Sequence, residues 1–241
     1  MTRPTIAIAA DEDALAPLAA DYFVRVARES GARFTVALSG GSTPRRLYRR
    51  LASEEYRGRV PWSRTHVFFA DERTVPSEAE ESNFRLANEL LLSRVPIPAS
   101  HVHRMRGEAR DLRAAAREYE WELSGVCGWA AGTREPRLDL ALLGIGDDGH
   151  TASLFPQTEA LREEERWVVA NYVPKLGAHR LTLTYPLLAA ARKLAFLVAG
   201  AGKAGVVRRV AAGDPDLPAS RAARHPRVTL LLDAAAAAAV D

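Results

Sequence analysis

The sequence alternates short apolar runs of strand length with segments in which apolar residues recur at helical spacing. This alternation is typical of an α/β protein with a mostly parallel sheet. Polar clusters directly follow three of the strand-like runs, and they comprise residues 39–43, 71–73 and 144–150. Because open parallel sheets bind ligands outside the carboxyl ends of their strands, we expect these clusters to form one site.

The predicted strands cover residues 34–38, 67–70, 138–143, 167–170, 180–184, 194–199 and 228–232. Helices are predicted around 84–95 and 112–123, and another runs from an N-cap at Asp13 to a stop at Gly31. No repeat, linker or composition break marks a boundary, so we expect residues 1–241 to form a single domain. The apolar fraction of 47% and the charged fraction of 26% exclude a disordered or fibrous chain.

The charge is nearly balanced, because 33 cationic residues stand against 30 acidic ones and leave a formal net charge of +3. Nucleic-acid binding would gather positive charge on one face, whereas here cations alternate with acids. The densest cationic stretch, at 45–50, fits the solvated face of a helix, so we expect no nucleic-acid partner. Lysine is rare and occurs only as Lys175, Lys193 and Lys203, which makes each of them a candidate for a specific role.

The single cysteine, Cys127, allows no intrachain disulfide, and the N-terminus lacks the pattern of a signal peptide. No apolar run approaches the ~20 residues that span a bilayer. These features predict a soluble, cytoplasmic protein without membrane association. We expect Cys127 to be a small core residue rather than a nucleophile.

The segment Ser-Gly-Gly-Ser-Thr-Pro at 39–44 joins a predicted strand to a predicted helix. Its glycines let backbone N–H groups approach a ligand, and a helix N-terminus opened by Pro44 favours an anion. The pattern therefore indicates a phosphate site. A tight turn with Thr43 as N-cap and no ligand explains it equally well.

The turn at 144–149 has the spacing G-x-G-x-x-G after a predicted strand, as a dinucleotide-binding loop would. Two acidic residues within the turn would repel a pyrophosphate, so we expect no dinucleotide. A second match at 200–205 is not a Walker A motif, because Ala204 replaces the required Ser or Thr. Lys203 within that match still suits an anion at a strand-to-helix turn.

His150 follows an apolar run in a turn rich in Gly and Asp. Either Asp147 or Asp148 could orient its imidazole as a general base near neutral pH, with a structural histidine as the alternative. His101 and His103 have no third ligand at metal-binding spacing, so we predict loop residues and no metal site. The absence of a G-x-S-x-G motif disfavours a serine hydrolase of the α/β-hydrolase kind.

Taken together, these motifs resemble the 6-phosphogluconolactonase family. The resemblance covers nearly the whole chain in order and rests on Leu-Ser-Gly-Gly-Ser-Thr-Pro at 38–44, Phe-Ala-Asp-Glu-Arg at 69–73, Ser82-Asn83, Gly-Ile-Gly-Asp-Asp-Gly-His-Thr-Ala-Ser-Leu-Phe-Pro at 144–156, Arg-Leu-Thr-Leu-Thr at 180–184, Gly202-Lys203 and Leu-Leu-Asp at 231–233. It implies an α/β three-layer sandwich with a mostly parallel central sheet, of the kind found in sugar-phosphate isomerases and CoA transferases.

The resemblance implies hydrolysis of 6-phospho-D-glucono-1,5-lactone in the oxidative pentose phosphate pathway, without a cofactor or metal. His150 would take a proton from water and return it to the departing ring oxygen, while Asp148 would hold the imidazole. Arg73 would stabilise the phosphate or the developing oxyanion. The implied substrate-binding residues are Gly40, Gly41, Ser42, Thr43, Asp71, Arg180 and Lys203. We expect the small-molecule lactone as partner and a monomeric protein.

Two other functions stay open. A glucosamine-6-phosphate deaminase would share the fold and a similar Asp-Gly-His turn, but its histidine leads into Phe-Asn-Glu-Pro, where this chain has Leu-Phe-Pro at 154–156. A sugar-phosphate sensor would keep the loop at 39–44 yet need no histidine among acids. The stretch at 175–179 also departs from the proline-rich pattern that the family has before Arg180, although the spacing is kept.

Overall fold

The computed structural model describes residues 4–129 and 136–240. Within them the strands are β1 (Thr5–Ala9), β2 (Phe34–Leu38), β3 (Thr65–Phe69), β4 (Asp71–Arg73), β5 (Gly128–Trp129), β6 (Pro136–Arg137), β7 (Leu140–Leu143), β8 (Val168–Val173), β9 (Ala178–Leu183), β10 (Leu194–Val198) and β11 (Val228–Asp233). The α-helices of the same residues are α1 (Glu12–Glu29), α2 (Ser42–Ala52), α3 (Glu54–Arg57), α4 (Asn83–Leu90), α5 (Leu112–Val126), α6 (Tyr185–Ala190), α7 (Ala204–Ala211), α8 (Pro218–Ala222) and α9 (Ala234–Ala237). None of these helices is long and apolar enough to cross a membrane, as far as the described residues go.

In the described part of the chain, six strands form a parallel sheet in the order β1-β11-β10-β7-β2-β3. From β2 the chain moves outward to β3, whereas from β7 it moves through β10 and β11 in the other direction. The strand order therefore reverses between the neighbours β2 and β7. Loops that leave the carboxyl ends of two such strands diverge and open a crevice, which is where α/β sheets of this kind bind ligands.

Apolar side chains of the central strands alternate between two cores, one on each face of the sheet. Val36 and Leu38 of β2 belong to the core covered by α1, α2, α3 and α4, whereas Ala37 faces the core covered by α5 to α9. Leu197 and Phe196 of β10 are divided in the same way. Helices on both faces of a parallel sheet confirm the predicted three-layer α/β fold.

A second sheet adjoins the carboxyl-end edge of the first. Among the described residues it consists of β4, β9 and β8 in antiparallel pairing. Because β4 begins two residues after β3 ends, the second sheet starts where the central strand stops. The Leu183 N–H donates to the carbonyl of Ala70 at 2.8 Å and ties β9 to this junction. The second sheet thereby carries its charged residues to the same edge as the polar loops.

The seven predicted strands are all present, with bounds shifted by at most three residues. Four further strands of the described residues, β1, β4, β5 and β6, were not predicted. The charged triplet of β4 has no apolar pattern, and it forms a strand because β9 supplies the hydrogen-bonding partner. β1 is an edge strand with the sequence Thr-Ile-Ala-Ile-Ala, and it pairs only with β11 among the described strands.

Two predicted helix boundaries were wrong. Asp11 rather than Asp13 caps α1, because its side chain accepts a hydrogen bond from the Ala14 N–H at 2.7 Å. Asp13 lies in the first turn instead. The helix predicted over 84–95 ends earlier, since α4 stops at Leu90 and a short 3₁₀ turn follows.

Candidate functional site

A cavity of about 250 Å³ lies at the crevice between β2 and β7. Loops after β2 and β7, strand β4 and the segment after β10 form its wall. The lining residues include Ser39, Gly40, Gly41, Ser42, Thr43, Asp71, Arg73, Asn83, Gly146, His150 and Lys203. The structure thus brings the three polar clusters that follow β2, β3 and β7 together in one cavity.

The loop after β2 presents the N-terminus of α2 to this cavity. Gly41 is the N-cap, with a φ of 107° that favours glycine. Thr43 and Pro44, which were predicted to cap and open the helix, lie inside it, because α2 begins at Ser42. No side chain caps this helix start, so the first N–H groups of α2 have no side-chain acceptor. Gly40 leaves room for Asn83, because a Cβ at Gly40 would lie 1.7 Å from Asn83 Oδ1.

Strand β4 contributes a carboxylate and a guanidinium group to the wall. Asp71 is buried and accepts hydrogen bonds from Ser153 Oγ at 2.6 Å and from Asn83 Nδ2 at 3.1 Å. These two bonds fix the orientation of the carboxylate. Arg73 lines the same wall and donates to the carbonyl of Glu81.

Arg180 lies next to Arg73 rather than in the cavity wall. The two residues are directly opposite each other in the pairing of β4 with β9. Burial, together with the charge of Arg73, lowers the pKa of Arg180. Like charges at facing positions of a sheet repel, so an anion bound beside this pair would be stabilised.

His150 sits in a tight turn that follows β7. Gly149 has a φ of 79°, and the Gly146 N–H donates to the carbonyl of His150 at 2.8 Å. Asp148 Oδ1 lies 2.6 Å from His150 Nδ1. Because this contact places the ring proton on Nδ1, the Nε2 atom carries the lone pair that a general base uses.

Packing holds the imidazole of His150 in place. Its ring stacks on the ring of Phe155, with centroids 3.9 Å apart and planes inclined by 20°. On another side, a Cβ at Gly146 would come within 2.0 Å of His150 Nδ1. Glycine at position 146 is therefore what allows the ring to occupy this orientation.

Each aspartate of the turn pairs with a lysine from a different element. Lys203 Nζ donates to Asp147 Oδ1 at 2.6 Å, and Lys175 Nζ donates to Asp148 Oδ2 at 2.8 Å. Burial opposes ionisation of Asp148, but hydrogen bonds from Lys175 and His150 outweigh it and lower the pKa of Asp148 to about 2. Asp148 is consequently a carboxylate at neutral pH and can only accept hydrogen bonds.

All of the predicted site residues except Asp148 and Arg180 line the cavity. Asp148 does not line the cavity but contacts His150, which does. Arg180 faces Arg73, another lining residue, across the pairing of β4 with β9. The sequence analysis did not assign Lys175 to the site. The rarity of lysine in the chain was the one sequence feature that marked it as a candidate.

A larger cavity of about 590 Å³ lies between α6 and α8 and is lined mainly by apolar side chains. Its histidine, His225, uses both ring nitrogens, since Nε2 donates to the carbonyl of Ala191 and Nδ1 accepts from the Arg227 N–H. The buried Cys127 lies elsewhere in the core, as predicted, and burial raises the pKa of its thiol to about 12. Over residues 4–129 and 136–240 no three His, Cys, Asp or Glu side chains are arranged so that they could hold a metal ion.

Residues 10–231 match the family described as glucosamine-6-phosphate isomerases/6-phosphogluconolactonase. The chain belongs to this family. A member from Nostoc sp., named 6-phosphogluconolactonase, is 38% identical over 98% of this chain and 98% of its own length. A probable chloroplastic 6-phosphogluconolactonase 3 from Oryza sativa subsp. indica is 43% identical over 82% of this chain, which spans only 63% of that longer relative.

Solved structures of the family agree with the fold described above. The 6-phosphogluconolactonase from Trypanosoma brucei superimposes with a TM-score of 0.85 at 29% identity, and the match covers 100% of both chains. The central parallel sheet and its flanking helices are therefore those of the family.

Proposed function

We propose that this chain hydrolyses 6-phospho-D-glucono-1,5-lactone to 6-phospho-D-gluconate, with His150 as the general base. The observation that carries the proposal is the 2.6 Å contact between Asp148 and His150 at the wall of a cavity that also contains the start of α2. A phosphorylated lactone needs one base and one anion-binding group, because its ester carbonyl lacks the resonance that protects an amide.

In the proposed reaction, water attacks the carbonyl carbon of the lactone while His150 Nε2 accepts its proton. The tetrahedral intermediate collapses, the bond from the carbonyl carbon to the ring oxygen breaks, and His150 returns the proton to that oxygen. Asp148 remains ionised and stabilises the imidazolium between the two steps. General acid–base assistance of this kind contributes roughly 10²–10⁴-fold to the rate.

The phosphate is proposed to bind at the N-terminus of α2, on the backbone of residues 40–43. The helix has no acid in its first turn and carries Arg49 and Arg50 in its last, so its dipole favours an anion at this end. Lys203 and Arg73 add positive charge to the same cavity, and Arg73 serves the phosphate or the oxyanion. Binding energy from the phosphate can then position the distant carbonyl.

Two further points support the proposal. Relatives from Nostoc sp. and Trypanosoma brucei are named 6-phosphogluconolactonases. The residues that line the cavity are spread along the chain from position 39 to position 203. Because one site uses segments so far apart in sequence, we propose that residues 1–241 act as one functional domain.

Acid release from freshly prepared 6-phosphoglucono-δ-lactone tests the proposal. We expect the wild-type protein to exceed the spontaneous rate and His150→Ala to lower kcat by about 10²–10⁴-fold. His101→Gln, at a histidine outside the cavity, serves as the control and should retain activity. A wild-type rate equal to the spontaneous one would reject the function, and an active His150→Ala variant would reject the assigned base.

A further inference from the structure

We propose that Lys175 is a positioning residue that controls the protonation of His150 through Asp148. The Asp148 carboxylate bridges the two side chains, with Oδ1 2.6 Å from His150 Nδ1 and Oδ2 2.8 Å from Lys175 Nζ. The kinetic part of this proposal rests on the proposed function, whereas the contact itself does not.

Lys175 reaches Asp148 from the second sheet. It lies in the 3₁₀ turn Pro174–Leu176, which connects β8 to β9. Two features define this turn: Pro174 begins it, and Gly177 ends it in a left-handed conformation with a φ of 59°. The Gly177 N–H donates to the Pro174 carbonyl at 3.1 Å, so the backbone that carries the lysine is closed into a compact turn.

The bridge has a direct consequence for the imidazole. A carboxylate that also accepts a hydrogen bond from an ammonium group has less negative charge available to stabilise an imidazolium. Lys175 therefore competes with the imidazole for the charge of Asp148, and it prevents the carboxylate from rotating away from the ring. The first effect favours the neutral ring and the second keeps its proton on Nδ1, so the Nε2 lone pair stays available for water.

The other charged groups around His150 are already paired. Asp147 is held by Lys203 on the far side of the same turn. Asp71 and Arg73 of β4 line the cavity and are engaged with neighbouring groups. Lys175 is thus the cation that contacts the histidine's own carboxylate.

The lysine side chain is 65% exposed, and exposed ion pairs contribute little to stability, so Lys175→Met should fold normally. Lys193→Met provides a matched control, because Lys193 also forms a lysine–carboxylate pair, with Glu29 at 2.6 Å, far along the chain from the turn of His150. Lys175→Arg keeps the charge and serves as the conservative rescue.

The test is a proton NMR titration of His150, with its signal assigned by its loss in His150→Gln, together with the pH profile of kcat/KM. Lys175→Met removes the positive charge that lies beside the Asp148 carboxylate, and this should move the His150 titration midpoint upward by about 0.5 pH unit. The acid limb of kcat/KM should move with it, which lowers activity about threefold on that limb. We expect Lys175→Arg to restore both values and Lys193→Met to leave both unchanged.

An unshifted His150 titration in Lys175→Met would overturn the proposal, as would an equal shift in Lys193→Met. Action through Asp148 is tested in an Asp148→Asn background, where Lys175→Met should cause a smaller shift, since only the direct charge effect remains. A shift of the same size as in the wild-type background would contradict the bridge. If the wild type does not hydrolyse the lactone, the proposed function fails, yet the NMR titration still decides the role of Lys175.

Discussion

Two groups of histidines in this molecule have contrasting surroundings. His150 follows the central strand β7, and the Asp148 carboxylate lies 2.6 Å from its Nδ1. His66 lies on the edge strand β3, with its Nδ1 3.2 Å from His103 Nε2 and its ring stacked on His101 at 3.9 Å. The first ring faces an acid, whereas the second faces two more bases.

Within the cluster formed by His66, His101 and His103, His66 resists protonation. Burial, followed by the charges of His101, His103 and Arg33, lowers the pKa of His66 to about 4. The acid of this region, Glu122, contacts His103 rather than His66. The two groups therefore differ in where the acid lies: Asp148 contacts a histidine that lines the cavity, whereas Glu122 contacts one that does not.

The largest expected effect comes from removing Asp148, the acid beside the histidine that lines the cavity. Asp148→Asn should lower kcat by about 10³-fold, within the range that general acid–base catalysis supplies, because the imidazolium loses its counter-charge. Glu122→Gln, at the acid beside His103, should leave lactone hydrolysis unchanged. Steady-state kinetics of both variants check this, and comparable losses in the two would abolish the distinction.

A smaller loss of kcat is expected when the His150 ring is displaced but Asp148 is kept. Gly146→Ala places a methyl group 2.0 Å from His150 Nδ1, so the ring must move and kcat should fall by up to about 100-fold. Gly205→Ala is the matched control, because a Cβ there meets no atom within 4 Å. Full activity in Gly146→Ala would show that the position of the ring is not critical.

The smallest expected effect concerns stability in acid. The unfolded chain protonates His66 near its ordinary pKa of 6.5, and the folded protein only near 4. Between these pH values the unfolded state binds more protons, so the free energy of unfolding falls as the pH drops through this window.

His66→Asn cannot take up this proton, and its stability should fall less steeply between pH 6.5 and 4. Urea midpoints of wild type and variant at several pH values measure the difference. His225, whose pKa burial also lowers, is common to both proteins and cancels. Parallel curves would mean that His66 does not resist protonation.

Much of the fold could be predicted from local pattern. The run Phe34–Leu38 is buried on both faces of β2 and apolar except for Thr35, and its bounds were predicted without error. The triplet Asp71–Arg73 could not be recognised as a strand, because its residues are charged and only pairing with β9 makes it one. Strand formation there is a tertiary effect rather than a propensity.

In the candidate site, too, local contacts could be predicted from the sequence and tertiary contacts could not. His150 and Asp148 stand two residues apart in a glycine-rich turn, so their proximity followed from the sequence alone. Lys175 is separated from Asp148 by 27 positions and lies in the turn between β8 and β9 of the second sheet, so no local pattern could pair the two residues. Nor could spacing show that Asp148, rather than Asp147, holds the ring.

The sequence by itself determined the α/β class, the polar clusters at the strand ends, and the turn that joins His150 to its acid. These depend on hydrophobic periodicity and on contacts a few residues apart. Only the tertiary structure placed β7 beside β2, so that the strand order reverses between them and their loops open one crevice. The choice of strand neighbours is made by packing across the whole sheet, which no single segment encodes.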